Sequence, residues 1–279
     1  MNKQKRIVAI HDISCLGKCS LTVALPVLSA AGHEVLAVPT AVLSTHTGGF
    51  TGFTFRDLTD DLLPIMNHWQ TLNLEYDAFY TGYLGSFRQI DIVCQMIEKL
   101  KTKETFVFID PVMGDNGKLY TAFTQNFPQE MKRLCAQADM ICPNITEAAL
   151  LTESDYKVGP FDKLYIEGML EKLSKLGPKK IILTGVYFDN KTLGAAYFDS
   201  GKIGYCFSDK IPGFFHGTGD VFASAFLGAY LKNNDIKKSL QIAVDFTEES
   251  IIRTKNDSNA QGYGVNFEEG LGSFAKSIG

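Results

Sequence analysis

A mostly parallel α/β fold is what this chain predicts, on three observations. Short apolar runs bounded by turn residues alternate with longer stretches of helical apolar spacing, the pattern of strand-helix repeats. Polar and acidic residues gather directly after the apolar runs, where open parallel sheets bind ligands. No shift of composition marks a linker, so residues 1–279 are expected to form one domain.

Arg6 to Ile10 reads as the first strand, Gly17 breaks the chain, and Ser20 to Ala30 reads as a helix ended by Gly32. Glu34 to Val38 is the second strand. Ser44 to Phe53 is dense in Gly and Thr without a period, which predicts a loop with a task beyond connecting. A helix from Arg56 to Leu72, a short strand Ala78 to Thr81, a helix Phe87 to Leu100 and a strand Thr105 to Ile109 follow. Phe127 to Gln137 is helical, Met140 to Cys142 a strand, Thr146 to Leu151 a turn or two of helix, Lys163 to Leu176 a helix and Ile181 to Thr184 a strand. The texture then changes. Gly194 to Phe198 and Ile203 to Phe207 flank Ser200-Gly201 as a small antiparallel edge hairpin. Val221 to Lys232 and Ile236 to Lys255 read as paired helices, and Glu268 to Ile278 as one more.

With 45% hydrophobic and 21% charged residues, the chain has the makings of a large core and not of a disordered segment. A formal charge of −4 gives no global attraction to nucleic acid or to an anionic membrane, so a small-molecule partner is expected. No stretch is long enough to span a bilayer, and the apolar run Ile7 to Ile10 is too short for a signal segment, which makes the cytoplasm the default location. Six scattered cysteines are expected as free thiols, and the Cys15/Cys19 pair lacks the spacing of a zinc site.

Gly217-Thr218-Gly219-Asp220 carries the strongest chemical signal. Its glycines let the main chain approach an anion. The helix that follows adds unpaired N–H groups and the positive end of a dipole, an anion site with a carboxylate beside it. Asp220 has two readings here, helix N-cap or catalytic group. Asp12, Thr81-Gly82-Tyr83, Asp110, Asn144 with Glu147, and Thr184-Gly185 all follow predicted strands, so one crevice can collect them. Phosphoryl transfer needs a divalent cation, donors for the developing charge and a base for the acceptor hydroxyl. Asp220 is the base candidate, Gly217, Thr218 and Gly219 the anion hole, and Asp110 with Glu147 the hard oxygen donors for Mg²⁺. Asn144-x-x-Glu147 reads equally as a capping box. Gly17-Lys18-Cys19-Ser20 fails as a Walker A loop, having Asp12 where Gly is required and Cys19 where Ser or Thr is required. No Gly-x-Gly-x-x-Gly follows the first strand, which argues against a dinucleotide site.

Taken together, Gly217 to Asp220, Asp110-Pro111-Val112-Met113-Gly114-Asp115, Asn144-x-x-Glu147, Tyr80-Thr81-Gly82-Tyr83 and Ser44-Thr45-His46-Thr47-Gly48 resemble the ribokinase superfamily in its pyridoxal kinase branch, over nearly the full chain. The resemblance implies a ribokinase-like doubly wound domain, commonly a homodimer, that uses ATP and Mg²⁺ to phosphorylate the 5′-hydroxymethyl group of pyridoxal, pyridoxine or pyridoxamine. It implies ATP contacts from Asp110, Asn144, Glu147, Thr184, Thr218 and Gly219, and a flap-like loop over the nucleotide that carries Asp115 and Tyr120. Asp12, Thr47 and Tyr83 would hold the pyridine ring, and Asp220 would meet the acceptor hydroxyl. By analogy it also allows a monovalent cation such as K⁺ near the phosphates. Many relatives carry Ser where Asp12 stands. A carboxylate there either retunes the preferred vitamer or caps the turn after the first strand. The rival readings are a hydroxymethylpyrimidine kinase of the same superfamily and a non-catalytic nucleotide-binding protein.

Overall fold

The computed structural model describes residues 3–279. Its strands are β1 (Arg6–Ser14), β2 (Glu34–Leu43), β3 (Phe55–Asp57), β4 (Ala78–Thr81), β5 (Phe106–Ile109), β6 (Gly114–Asp115), β7 (Lys118–Leu119), β8 (Met140–Ile141), β9 (Lys180–Val186), β10 (Thr192–Asp199) and β11 (Lys202–Asp209). Its helices are α1 (Leu21–Ala30), α2 (Thr59–Thr71), α3 (Phe87–Leu100), α4 (Phe127–Cys135), α5 (Ile145–Thr152), α6 (Lys163–Ser174), α7 (Thr218–Asn233), α8 (Ile236–Asn256) and α9 (Leu271–Ile278).

Nine strands form one sheet in the order β11-β10-β9-β8-β5-β4-β1-β2-β3. The six from β9 to β2 are parallel, as expected. Alternate residues of the central strands feed two cores. Val8, Ile10, Phe79 and Val107 pack under α2 to α6. Ile7, Tyr80 and Phe108 pack under α1 and α7 to α9. Burial on both faces is why these strands are continuous apolar runs in the sequence, and helices on both faces make the sheet doubly wound. From β1 the chain passes first to β2 on one side and later to β4 on the other, so the β1/β4 junction is a topological switch point. Ligands bind at such a junction, beyond the strand ends.

The edge hairpin is β10–β11, antiparallel to each other and to β9. Three expectations need correction. The first strand does not stop at Ile10. It runs through a bulge between His11 and Ile13 and pairs Ser14 with Leu43, so Asp12 lies inside a strand and does not cap a turn after it. Arg56 is not the start of a helix. It belongs to β3, an antiparallel strand on the opposite edge, and α2 begins only at Thr59. The expected flap-like loop with Asp115 and Tyr120 contains regular structure, because β6 and β7 form a second hairpin joined through Asn116-Gly117. Both turn residues have positive φ (52° and 75°), the two-residue geometry that Asn-Gly favours.

Candidate active site

A cavity of about 480 Å³ opens at the carboxyl ends of the parallel strands. Twelve of the residues expected at a site form part of its wall: Tyr83, Asp110, Asp115, Tyr120, Asn144, Glu147, Thr184, Gly185, Gly217, Thr218, Gly219 and Asp220.

Gly217 occupies the N-cap position of α7 with a left-handed backbone (φ 75°), so Asp220 is the third helical residue and not a cap. The first helical bond runs from the Val221 N–H to the Gly217 carbonyl at 3.1 Å, which leaves the N–H groups of Thr218, Gly219 and Asp220 with no partner in the helix. The two glycines have different causes. A Cβ on Gly217 would lie 1.9 Å from the Lys18 carbonyl oxygen, so the close approach of the turn before α1 demands glycine there. A Cβ on Gly219 would meet nothing within 4 Å, so the bare backbone faces open space in the cavity.

Three carboxylates converge beside this helix end. Asp220 is partly accessible, and its pKa is raised to about 7 by burial. The Ser20 amide opposes that rise and nearby Asp12 adds to it. Asp110, 8% exposed, is held well above the usual carboxylate range by burial and by the neighbouring Glu147 and Asp220. Glu147, 3% exposed, is raised to about 8 by burial against the pull of the backbone amides it accepts from. Those bonds realise the capping box: the Glu147 N–H donates to Asn144 Oδ1 (2.9 Å) and the Asn144 N–H to Glu147 Oε2 (2.9 Å). The same residues do more than cap, since the Met113 N–H donates to Glu147 Oε1 (3.1 Å) and Asn144 Nδ2 to the Gly114 carbonyl (3.0 Å). Such a concentration of ionisable oxygen in little water calls for a cation or a proton.

Tyr83 is set by stacking on Phe123 at 5.4 Å. Thr184, on β9, donates its N–H to the Pro143 carbonyl (3.0 Å), which brings that strand end beside Asn144. Asp12 and Thr47 are not part of the cavity wall. Asp12 is 5% exposed, accepts from Ser14 Oγ (3.2 Å) and has a raised pKa from burial. Thr47 is exposed, and its neighbour Gly48 packs against His216, which does line the cavity. Ser20, also in the wall, holds φ 52° and ψ −133°, a rare backbone for a residue with a side chain. All six cysteines are free thiols.

Sequence reasoning missed the far wall. Leu193, Gly194, Ser208 and Asp209 of the edge hairpin, and Val244, Thr247, Glu248 and Ile251 of α8, close that side. These types carry no common chemical signature. One signal was available: a Cβ on Gly194 would lie 2.0 Å from the Cys206 carbonyl, so a glycine inside a strand marked a close approach.

Comparison with known proteins agrees with this architecture. The model of the phosphomethylpyrimidine kinase family matches residues 25–265. A pyridoxal kinase structure from Lactobacillus plantarum is 32% identical, covers 99% of this chain and 98% of its own, and superposes with a TM-score of 0.88. A structure from Bacteroides thetaiotaomicron, named as a candidate phosphomethylpyrimidine kinase and crystallised with pyridoxal, is 36% identical over 98% of this chain and 96% of its own, with a TM-score of 0.91. The pyridoxal kinase of Arabidopsis thaliana is 28% identical over 280 residues, 92% of this chain and 85% of that protein. The chain belongs to the phosphomethylpyrimidine kinase family and, within it, to the pyridoxal kinase branch.

Proposed function

We propose that this enzyme, a pyridoxal kinase, transfers the γ-phosphoryl group of ATP to the 5′-hydroxymethyl group of pyridoxal, pyridoxine or pyridoxamine. The observation that carries the reading is the pairing of Asp220, with its pKa near 7, and the unpaired amides of Thr218 to Asp220 at one end of one cavity. An ionised Asp220 takes the proton from the acceptor hydroxyl as that oxygen bonds to the γ-phosphorus, and the bond from phosphorus to the bridging oxygen breaks. The amides beside Gly219 donate to the phosphoryl oxygens, where negative charge sits in the transition state.

Asp110 and Glu147 fit a divalent cation. Both are buried with raised pKa values, and Glu147 already accepts a backbone N–H on each oxygen, which suits contact through water. Among the described residues no three His, Cys, Asp or Glu side chains could hold a metal by themselves, which suits Mg²⁺ shared with phosphate oxygens. The bound ion would offset phosphate charge. Thr184, Asn144, Asp115 and Tyr120 contact the nucleotide in this reading, and Tyr83, Thr47 and Asp12 the pyridine ring. Thr47 and Asp12 act there only if the polar loop and the β1 end approach the cavity. The enzyme is taken as a cytoplasmic homodimer, and a sedimentation mass of a single chain would contradict the dimer.

The test is product mass after incubation with Mg-ATP and a panel of pyridoxal, pyridoxine, pyridoxamine and hydroxymethylpyrimidine. Phosphate esters of the B6 vitamers, formed faster than that of the pyrimidine, are expected. Faster use of the pyrimidine would overturn the substrate assignment.

A further inference from the structure

The β6–β7 hairpin walls the cavity with Asp115 and Tyr120, yet it is only a pair of two-residue strands, too short to hold itself in place. Its position comes from the first turn of α5. Asn144 Nδ2 donates to the Gly114 carbonyl and Glu147 Oε1 accepts from the Met113 N–H, which secures the base. The tip is secured separately: the Gly117 N–H donates to Thr146 Oγ1 at 2.9 Å. Behind the tip stands Tyr156, from the segment after α5, so close that a Cβ on Gly117 would lie 2.5 Å from its ring. Asn144 and Glu147 also cap their helix, but a threonine in the second helical position has no capping duty. Thr146 is 3% exposed, and its hydroxyl accepts from the hairpin tip. Asp115, at the tip, spends its carboxylate on the turn itself, accepting from the Asn116 N–H (2.8 Å) and from Asn116 Nδ2 (3.0 Å). The tip is thus a preformed unit that docks onto Thr146 and the Tyr156 ring.

We propose that Thr146 and Tyr156 are positioning residues that latch the tip of the β6–β7 hairpin, fixing Asp115 and Tyr120 against the cavity and closing it to water during phosphoryl transfer. The latch is a matter of structure alone. Its effect on the donor rests on the kinase reading above. A closed wall matters because an activated phosphoryl group open to water is hydrolysed in place of being transferred.

The test measures amide hydrogen exchange of residues 113–120 in the free enzyme, and then the KM for ATP, the KM for pyridoxal, kcat and ATP hydrolysis without acceptor. Thr146→Val and Tyr156→Ala should speed exchange of the hairpin. Both should raise the KM for ATP by about three- to tenfold, the scale of one lost hydrogen bond. They should raise acceptor-free hydrolysis relative to transfer and leave the KM for pyridoxal near its original value. Thr146→Ser keeps the hydroxyl and should behave as the parent enzyme, while Tyr156→Phe keeps the ring but loses the hydroxyl's bond to the Thr146 side chain and should fall between the parent and Tyr156→Ala. Unchanged exchange in both Thr146→Val and Tyr156→Ala would overturn the latch. Faster exchange with an unchanged KM for ATP and unchanged hydrolysis would overturn its role toward the donor. Should the enzyme phosphorylate none of the acceptors, the kinase reading fails, while the exchange data still decide whether the latch exists.

Discussion

At the α7 end of the cavity the protein presents unpaired amides and a partly accessible carboxylate, whereas at the α8 end it presents Val244, Thr247, Glu248 and Ile251 with the edges of β10 and β11. The first end spends stability on chemistry. Asp110, Glu147 and Asp220 crowd together with raised pKa values, and Gly219 leaves open space that any side chain would narrow. The second end is ordinary packing, with Val244 buried against the core beneath α8. The two acids of the second wall, Asp209 and Glu248, are tied to each other, with the Asp209 N–H donating to Glu248 Oε1 at 3.0 Å, and in the kinase reading the two walls should respond to substitution in different currencies: turnover at one, affinity at the other.

The largest effect expected is at Asp220. Asp220→Ala should lower kcat by about 10²–10⁴-fold, the range for loss of a positioned base, with the nucleotide dissociation constant, measured by calorimetry, almost unchanged. Near-normal turnover would remove Asp220 from the role.

The glycine pair sharpens the contrast within the α7 end itself. Gly219→Ala should leave the melting temperature close to the parent value, because nothing stands within 4 Å of the new methyl, while transfer falls by about 10²-fold, as for one lost preorganised donor. Gly217→Ala meets the Lys18 carbonyl and a left-handed backbone, which alone costs about 1–2 kcal/mol, so it should lower melting temperature and activity together. Equal thermal effects from the two substitutions would break the distinction.

A smaller effect, opposite in sign, is expected from Asp110→Asn. Folded-state pKa values raised above the unfolded ones mean that stability is fully present below about pH 4 and is lost as pH rises through the raised values, about 8 for Glu147. Removing one of these carboxylates should therefore stabilise the metal-free enzyme at pH 8, by about 2–4 °C in melting temperature per kcal/mol relieved. The gain should shrink toward pH 5, and Mg-dependent turnover should fall. A lower melting temperature at pH 8 would show that Asp110 is held by bonds stronger than its burial penalty.

The same contrast explains what was legible beforehand. The parallel sheet was readable because its central strands are buried on both faces and leave unbroken apolar runs such as Ile7 to Ile10 and Phe106 to Ile109. The residues at the α7 end were readable because glycine and acid at strand and helix ends are few and chemically distinct. The extension of β1 through His11 and Asp12 was hidden by their polarity, although both are buried beyond 90%. β3 escaped because its three residues are all exposed and lack alternation. The β6–β7 hairpin did have a signal, Asn116-Gly117, but its strands are too short for a period to show. The α8 wall had none, since Val244 and Ile251 are types that also fill the core and Thr247 and Glu248 are types that also cover a solvated helix face.

The most direct test of the account is the pH dependence of kcat/KM for the parent enzyme beside Asp220→Asn. Asp220 must be ionised to accept a proton, so with Mg-ATP saturating, which keeps Asp110 and Glu147 ionised, the parent should lose activity as pH falls through about 7. The residual activity of Asp220→Asn should lack that limb. A parent profile flat from about pH 5.5 to 8.5, or a limb that survives in Asp220→Asn, would contradict the assignment of Asp220 as the base.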